Sequence, residues 1–73
     1  MSELAEIQAD MVSALAILLK EQNDDLSMNQ ALSIVFNSET YQRLLDARTG
    51  LYYQSPRYVF SFLDMELKTG KIQ

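Results

Sequence analysis

The 73-residue sequence contains no cysteine and no histidine. Without cysteine there is no disulfide framework, no thiolate nucleophile and no sulfur-ligated metal. Without histidine the commonest general base, the commonest metal ligand and the usual switch near neutral pH are all missing. Glycine is scarce as well. The only two, Gly50 and Gly70, fall where helices should end, so no glycine-rich loop is present to cradle a phosphate. Asp24-Asp25 lacks the alternating acids and central glycine of a calcium loop. No serine is followed three residues later by lysine, which removes one further nucleophile arrangement. These absences predict a protein that is not an enzyme and carries no catalytic residue, cofactor or metal.

Positive charge is missing from the N-terminus, where Glu3, Glu6 and Asp10 stand in place of the basic start of a signal peptide. The most apolar run, residues 11–19, is interrupted by Ser13 and falls far short of the ~20 residues a membrane span needs. A cytoplasmic protein with no membrane association is the expectation. The net charge of −4 weighs against general nucleic-acid affinity, and it is unevenly spread. Residues 1–37 hold six acids and Lys20, a net −5, whereas residues 38–73 hold four acids and five bases, a net +1.

Apolar residues are abundant: 48% of the chain is hydrophobic. A single domain of this length buries only about 60% of the surface its unfolded chain exposes. Either scattered apolar groups face water, as they do on many monomers, or a second copy or partner covers some of them. The excess favours a homodimer.

Helix signals account for most of the chain, and there is no strand pattern or internal repeat. A first helix is expected over about residues 3–22, capped by Ser2, with acids at its positive end. Leu4, Ile7, Met11, Ala14 and Leu18, flanked by Val12, Leu15 and Leu19, form an apolar stripe about 160° wide. Ile17 falls outside it, beside Glu6 and Asp10. Met11, Ile17 and Leu18 are therefore the candidate self-association residues. Asn23-Asp24-Asp25 reads as a loop, and Ser27 with Gln30 is a capping-box pair opening a second helix over about residues 28–36. Its buried stripe is Met28, Ala31, Leu32 and Val35, with Phe36 at the edge. Asn37 suits a left-handed helix end, and Ser38 caps a third helix over about residues 39–48 that buries Tyr41, Leu44 and Leu45. Thr49-Gly50 stops it. Leu51 to Gln54 forms an extended connector, Ser55-Pro56 starts a fourth helix over about residues 56–68, and residues 71–73 form a frayed tail. The expected fold is all-α, one four-helix domain over residues 1–73, with the long first helix as platform for three shorter ones.

Two features of this pattern bear on function. On the fourth helix, Tyr58, Val59, Phe60, Phe62, Leu63, Met65 and Leu67 cover about 220° of the circumference, and Glu66 lies inside that arc. Its carboxylate either reaches water from the last turn or pairs with Arg48 in a register-fixing ion pair. All seven aromatic residues lie between Phe36 and Phe62, interleaved with Arg43, Arg48 and Arg57, and tyrosine with arginine is the composition of interface hot spots. Tyr41, Tyr58 and Phe62 sit on helical stripes and belong to the core. Tyr52 and Tyr53, adjacent in the connector, should point opposite ways and leave one exposed. Tyr52, Tyr53, Arg57 and Arg43 are thus the candidate partner-binding residues.

The competing reading is a helix-turn-helix regulator with the third helix as reader, exposing Glu39, Gln42, Arg43 and Asp46. Gln42 and Arg43 suit base contacts, but the two acids repel the phosphate backbone and the turn lacks glycine. Nucleic acid is therefore the less favoured partner.

The string Ser38-Glu39-Thr40-Tyr41, Leu44-Leu45-Asp46, Thr49-Gly50-Leu51-Tyr52, Ser55-Pro56, Tyr58-Val59, Leu63 and Glu66-Leu67 resembles that of small all-helical bacterial proteins of unknown function. The resemblance spans about residues 12–68 and rests on turns and core positions. Some of those proteins are thought to be encoded beside ADP-ribosyltransferase-like proteins in toxin–antitoxin-type loci. The resemblance thus implies a neutralising or adaptor role. The chain has Tyr52-Tyr53 where many of them carry a histidine-containing segment, and no functional residue transfers. Together these readings predict a non-enzymatic protein–protein interaction or adaptor module.

Overall fold

Ser27 opens its helix as a reciprocal cap. Its hydroxyl accepts the Gln30 N–H at 3.1 Å, and the Gln30 side-chain oxygen accepts the Ser27 N–H at 2.9 Å. One-way serine caps open the two later α-helices, Ser38 accepting the Tyr41 N–H and Ser55 the Tyr58 N–H, in the computed structural model, which describes residues 3–70. Four α-helices result: α1 (Glu3–Gln22), α2 (Met28–Phe36), α3 (Glu39–Leu45) and α4 (Pro56–Thr69). Two 3-10 turns, Ala47–Thr49 and Leu51–Tyr53, link α3 to α4. There is no strand among the described residues, and the fold is all-α with the longest helix first. The expected Ser2 cap and the tail at 71–73 lie outside the described residues.

The platform role of α1 follows from its burial pattern. Met11, Val12, Leu15, Ala16, Leu18 and Leu19 are buried against Ala31 and Val35 of α2, Leu44 of α3, Leu51, and Val59, Phe60 and Leu63 of α4. Each shorter helix covers part of the α1 stripe, because none is long enough to bury an apolar face alone. At about 25 cal/mol per Å² of apolar surface removed from water, this shared core is the main stabilising contribution. Single residues of the stripes escape it. Met28, Phe36, Leu45, Tyr58, Met65 and Leu67 are all substantially exposed, since the neighbours of each short helix cover only part of its apolar arc. Tyr41 and Phe62 are only partly buried against the core.

The joint between α2 and α3 differs from the sequence expectation. Asn37 has φ −93° and is not left-handed. Instead its side-chain amide donates to the Ser33 carbonyl at 2.8 Å, and the Ser38 hydroxyl donates to the Val35 carbonyl at 2.6 Å. The same Ser38 oxygen accepts the Tyr41 N–H at 3.0 Å. Two side chains thus close one helix and open the next without a positive φ.

Helix α3 is also shorter than expected, ending at Leu45 rather than Arg48. Asp46 competes with the helix by bonding locally, as aspartate does at caps. Its carboxylate accepts the Arg48 N–H at 3.0 Å, which starts the first 3-10 turn. The Thr49 hydroxyl donates to the Arg43 and Asp46 carbonyls at 2.7 and 2.9 Å. Gly50, at φ +69°, then swings the chain into the second turn, so Leu51 to Gln54 is not the extended segment the sequence suggested. Gly50→Ala should cost about 1–2 kcal/mol. Nothing lies within 4 Å of the added Cβ, so the loss reports backbone strain alone, and a denaturant midpoint shift measures it.

Candidate functional site

The sequence placed one acid, Glu66, inside an apolar arc, and the fold gives it a partner that sequence spacing could not reveal. The first N–H groups of α3 have no intrahelical acceptor. Ser38 serves only that of Tyr41. The Glu66 carboxylate, reaching across from α4, accepts the Glu39 N–H at 2.7 Å and the Thr40 N–H at 2.9 Å. It also accepts the Thr40 hydroxyl at 2.8 Å. Partial burial pushes the carboxyl pKa up, but these three hydrogen bonds and the charge of Arg43 outweigh it and hold the group below its ordinary value. The Glu66–Arg48 ion pair, one of the two alternatives the sequence left open, does not form. Arg48 turns instead to Asp46, two residues away, at 2.8 and 3.0 Å, because the capping carboxylate is already beside it. That exposed pair draws the Asp46 carboxyl down to about 2, first through the Arg48 side chain and then through its backbone N–H.

With α3 anchored this way, its other side forms a wall. Tyr41 and Leu45 face Leu32 and Phe36 of α2 across Ala5, Gln8, Ala9, Val12 and Ser13 of α1, enclosing an open groove of about 470 Å³. The Gln8 side-chain amide donates to the Leu44 carbonyl at 3.1 Å and the Leu45 carbonyl at 3.4 Å, tying α1 to the C-terminal end of α3. Phe36 and Tyr41 meet edge to face, ring centroids 5.1 Å apart, an arrangement that fixes both rings. Phe36 nevertheless remains 49% exposed and Leu45 44%. The sequence marked Phe36 as an edge residue but placed Leu45 in the core. Contact between three separate helices made this groove invisible to spacing within any one of them.

The four residues singled out as a partner surface do not gather at one place. Tyr52 and Tyr53 do not diverge: their rings lie 4.2 Å apart at 35°, since a 3-10 turn sets neighbouring side chains about 120° apart and not on opposite faces as an extended strand does. Tyr52 rests on the core while Tyr53 is 77% exposed. A hydrogen bond with the Tyr53 hydroxyl pushes the Tyr52 phenol above its ordinary value. Arg57 approaches Glu21 at 4.0 Å and lines a second depression of about 370 Å³ with Ala14, Ile17, Leu18, Ser55 and Pro56. Arg43 lines a third, of about 200 Å³, with Thr49, Leu51, Tyr58 and Phe62. Of the residues assigned to self-association, only Ile17 is exposed. Met11 and Leu18 are buried in the chain's own core, and Leu18 contributes only to the lining of the Arg57 depression. The structure therefore joins Ile17 with Arg57, which the sequence had assigned to different surfaces.

Among the described residues, no group of three acids is placed to hold a metal ion, and no helix is long and apolar enough to cross a membrane. No protein-family model matches the sequence, and no curated protein or solved structure matches it significantly.

Proposed function

We propose that this chain is a non-enzymatic interaction module, acting in the cytoplasm, that binds a protein partner in the groove between α1, α2 and α3. The observation that carries the proposal is the half-exposure of Phe36 and Leu45 on the walls of a preformed apolar groove. Large apolar groups flanking a concavity are what a binding surface offers. On the resemblance described above, neutralisation of a toxin-like partner is the form of this role to test first. Tyr53 provides a second contact surface, and Ile17 with its depression provides the surface for a homodimer.

The helix-turn-helix alternative loses support. A reading helix presents its N-terminal end to the DNA, whereas the N-terminus of α3 already holds the Glu66 carboxylate. α3 is also only seven residues long.

Affinity capture from a lysate of the source cells, read by quantitative mass spectrometry, tests the module. Wild type should retain a protein that Phe36→Asp loses at least tenfold, with Tyr53→Ala separating the two surfaces. If nothing retained depends on either residue, the proposal fails. Circular dichroism of both variants guards against unfolding.

A further inference from the structure

The groove is electrostatically one-sided, and its charge identifies the kind of partner it takes. Its α1 edge carries Glu6 and Asp10, which lie about 60° around the helix from the groove residues Ala9 and Ser13. Neither acid has an ion-pair partner among the described residues. The α2 wall is neutral, since residues 26–38, which include all of α2, contain no charged residue. The α3 end adds the carbonyls of Leu44 and Leu45, the negative pole of a helix, capped only by the neutral Gln8 amide. Among the described residues, no cation lines the groove.

Shape narrows the occupant further. The α1 floor runs from Ala5 to Ser13, about 12 Å at 1.5 Å per residue. A docked helix with anchors at i, i+3 or i+4, and i+7 spans about 10.5 Å. Ala5 and Ala9 leave room for a backbone to approach, while Phe36, Tyr41, Leu32 and Leu45 provide walls for its anchors.

We infer that the groove binds an amphipathic helix of a partner protein whose apolar stripe is flanked by lysine or arginine on the side that meets Glu6 and Asp10. The inference rests on the interaction-module reading and names the partner's chemistry. A second copy of this chain does not fit. Helix α1 has four acids and one base, α2 no charge, α3 one acid and one base, and α4 two of each, so no helix of the chain is basic. Nucleic acid and anionic membrane surfaces share the sign of the groove edge and are repelled.

A displayed library of amphipathic helices tests this, with a fixed Leu/Phe stripe and flanking positions randomised among Lys, Glu, Ser and Gln. Clones selected on the folded protein should carry lysine at least fivefold more often than glutamate on one flank. The best clone, made as a labelled peptide, should bind at least tenfold more weakly to Ala9→Arg, which fills the exposed floor of the groove. Its preference over a Lys→Glu copy of itself should collapse on the Glu6→Lys/Asp10→Lys variant. Clones with balanced charge, clones indifferent to Ala9→Arg, or no clones at all would overturn the inference. So would self-association that Ala9→Arg abolishes. The module reading survives these outcomes if lysate capture still depends on Phe36 but the captured contact ignores salt.

Discussion

Glu66→Ala should lower stability by about 2–3 kcal/mol, and Glu66→Gln by about 1–2 kcal/mol, the range for hydrogen bonds to a charged cap. The alanine variant leaves the Thr40 N–H and hydroxyl without their acceptor, on a residue whose relative exposure is 0%. Glutamine keeps the shape but loses the charge, and it turns an NH₂ donor towards one of the N–H groups that the carboxylate accepts. In a domain of this size a loss of about 2 kcal/mol corresponds to a drop in Tm of about 10 °C. Arg48→Ala is the control. The ion-pair reading makes it equivalent to Glu66→Ala, whereas the observed geometry, with Arg48 on exposed Asp46, leaves Tm nearly unchanged. The pH dependence has a fixed sign. The folded carboxyl titrates below its ordinary value of 4.5, so its contribution is complete above that pH and is lost as pH falls through the folded value. Glu66→Ala should flatten that acid limb, and equal acid sensitivity in wild type and variant would show that the cap contributes nothing.

The same carboxylate shows where sequence reading reached its limit. Ser27 with Gln30, Ser38, Ser55 with Pro56, and Gly70 mark helix ends from within a few residues, and each occupies the role its local chemistry assigns. Local competition was harder to judge. Asp46 could continue α3 or cap the next turn, and the stop signal at Thr49-Gly50 favoured continuation to Arg48. The Glu66 cap and the Gln8 tie beside the groove belong to a third class, in which the hydrogen-bonded partners are 26 or more residues apart. No spacing rule reaches them. One-dimensional stripes also exaggerate burial, because they count the apolar arc of a helix and not the neighbours available to cover it. Leu45, Met28 and Leu18 show both outcomes: the first two were placed in the core and are exposed, and the third was placed on a surface and is buried.

Leu15 and Ile17 put that last distinction to its strongest test. They stand two residues apart on α1, yet Leu15 is 0% exposed and Ile17 48%. Leu15→Ala opens a cavity where α1 meets the core of all the shorter helices, at a cost of about 3–5 kcal/mol. A chain of this length has about 4–11 kcal/mol in total, so the variant should be partly or wholly unfolded at room temperature by circular dichroism. Ile17→Ala should cost under about 1 kcal/mol in the monomer. A homodimer built on Ile17, Pro56 and Arg57 makes a different demand. Burying Ile17 against a second copy couples stability to concentration, so wild-type Tm should rise with protein concentration and Ile17→Asp should abolish the rise. A wild-type Tm that is constant from micromolar to millimolar concentration would leave Ile17 facing water and remove the dimer. The groove would then remain as an apolar surface open to a partner, and that partner would have to be a different protein.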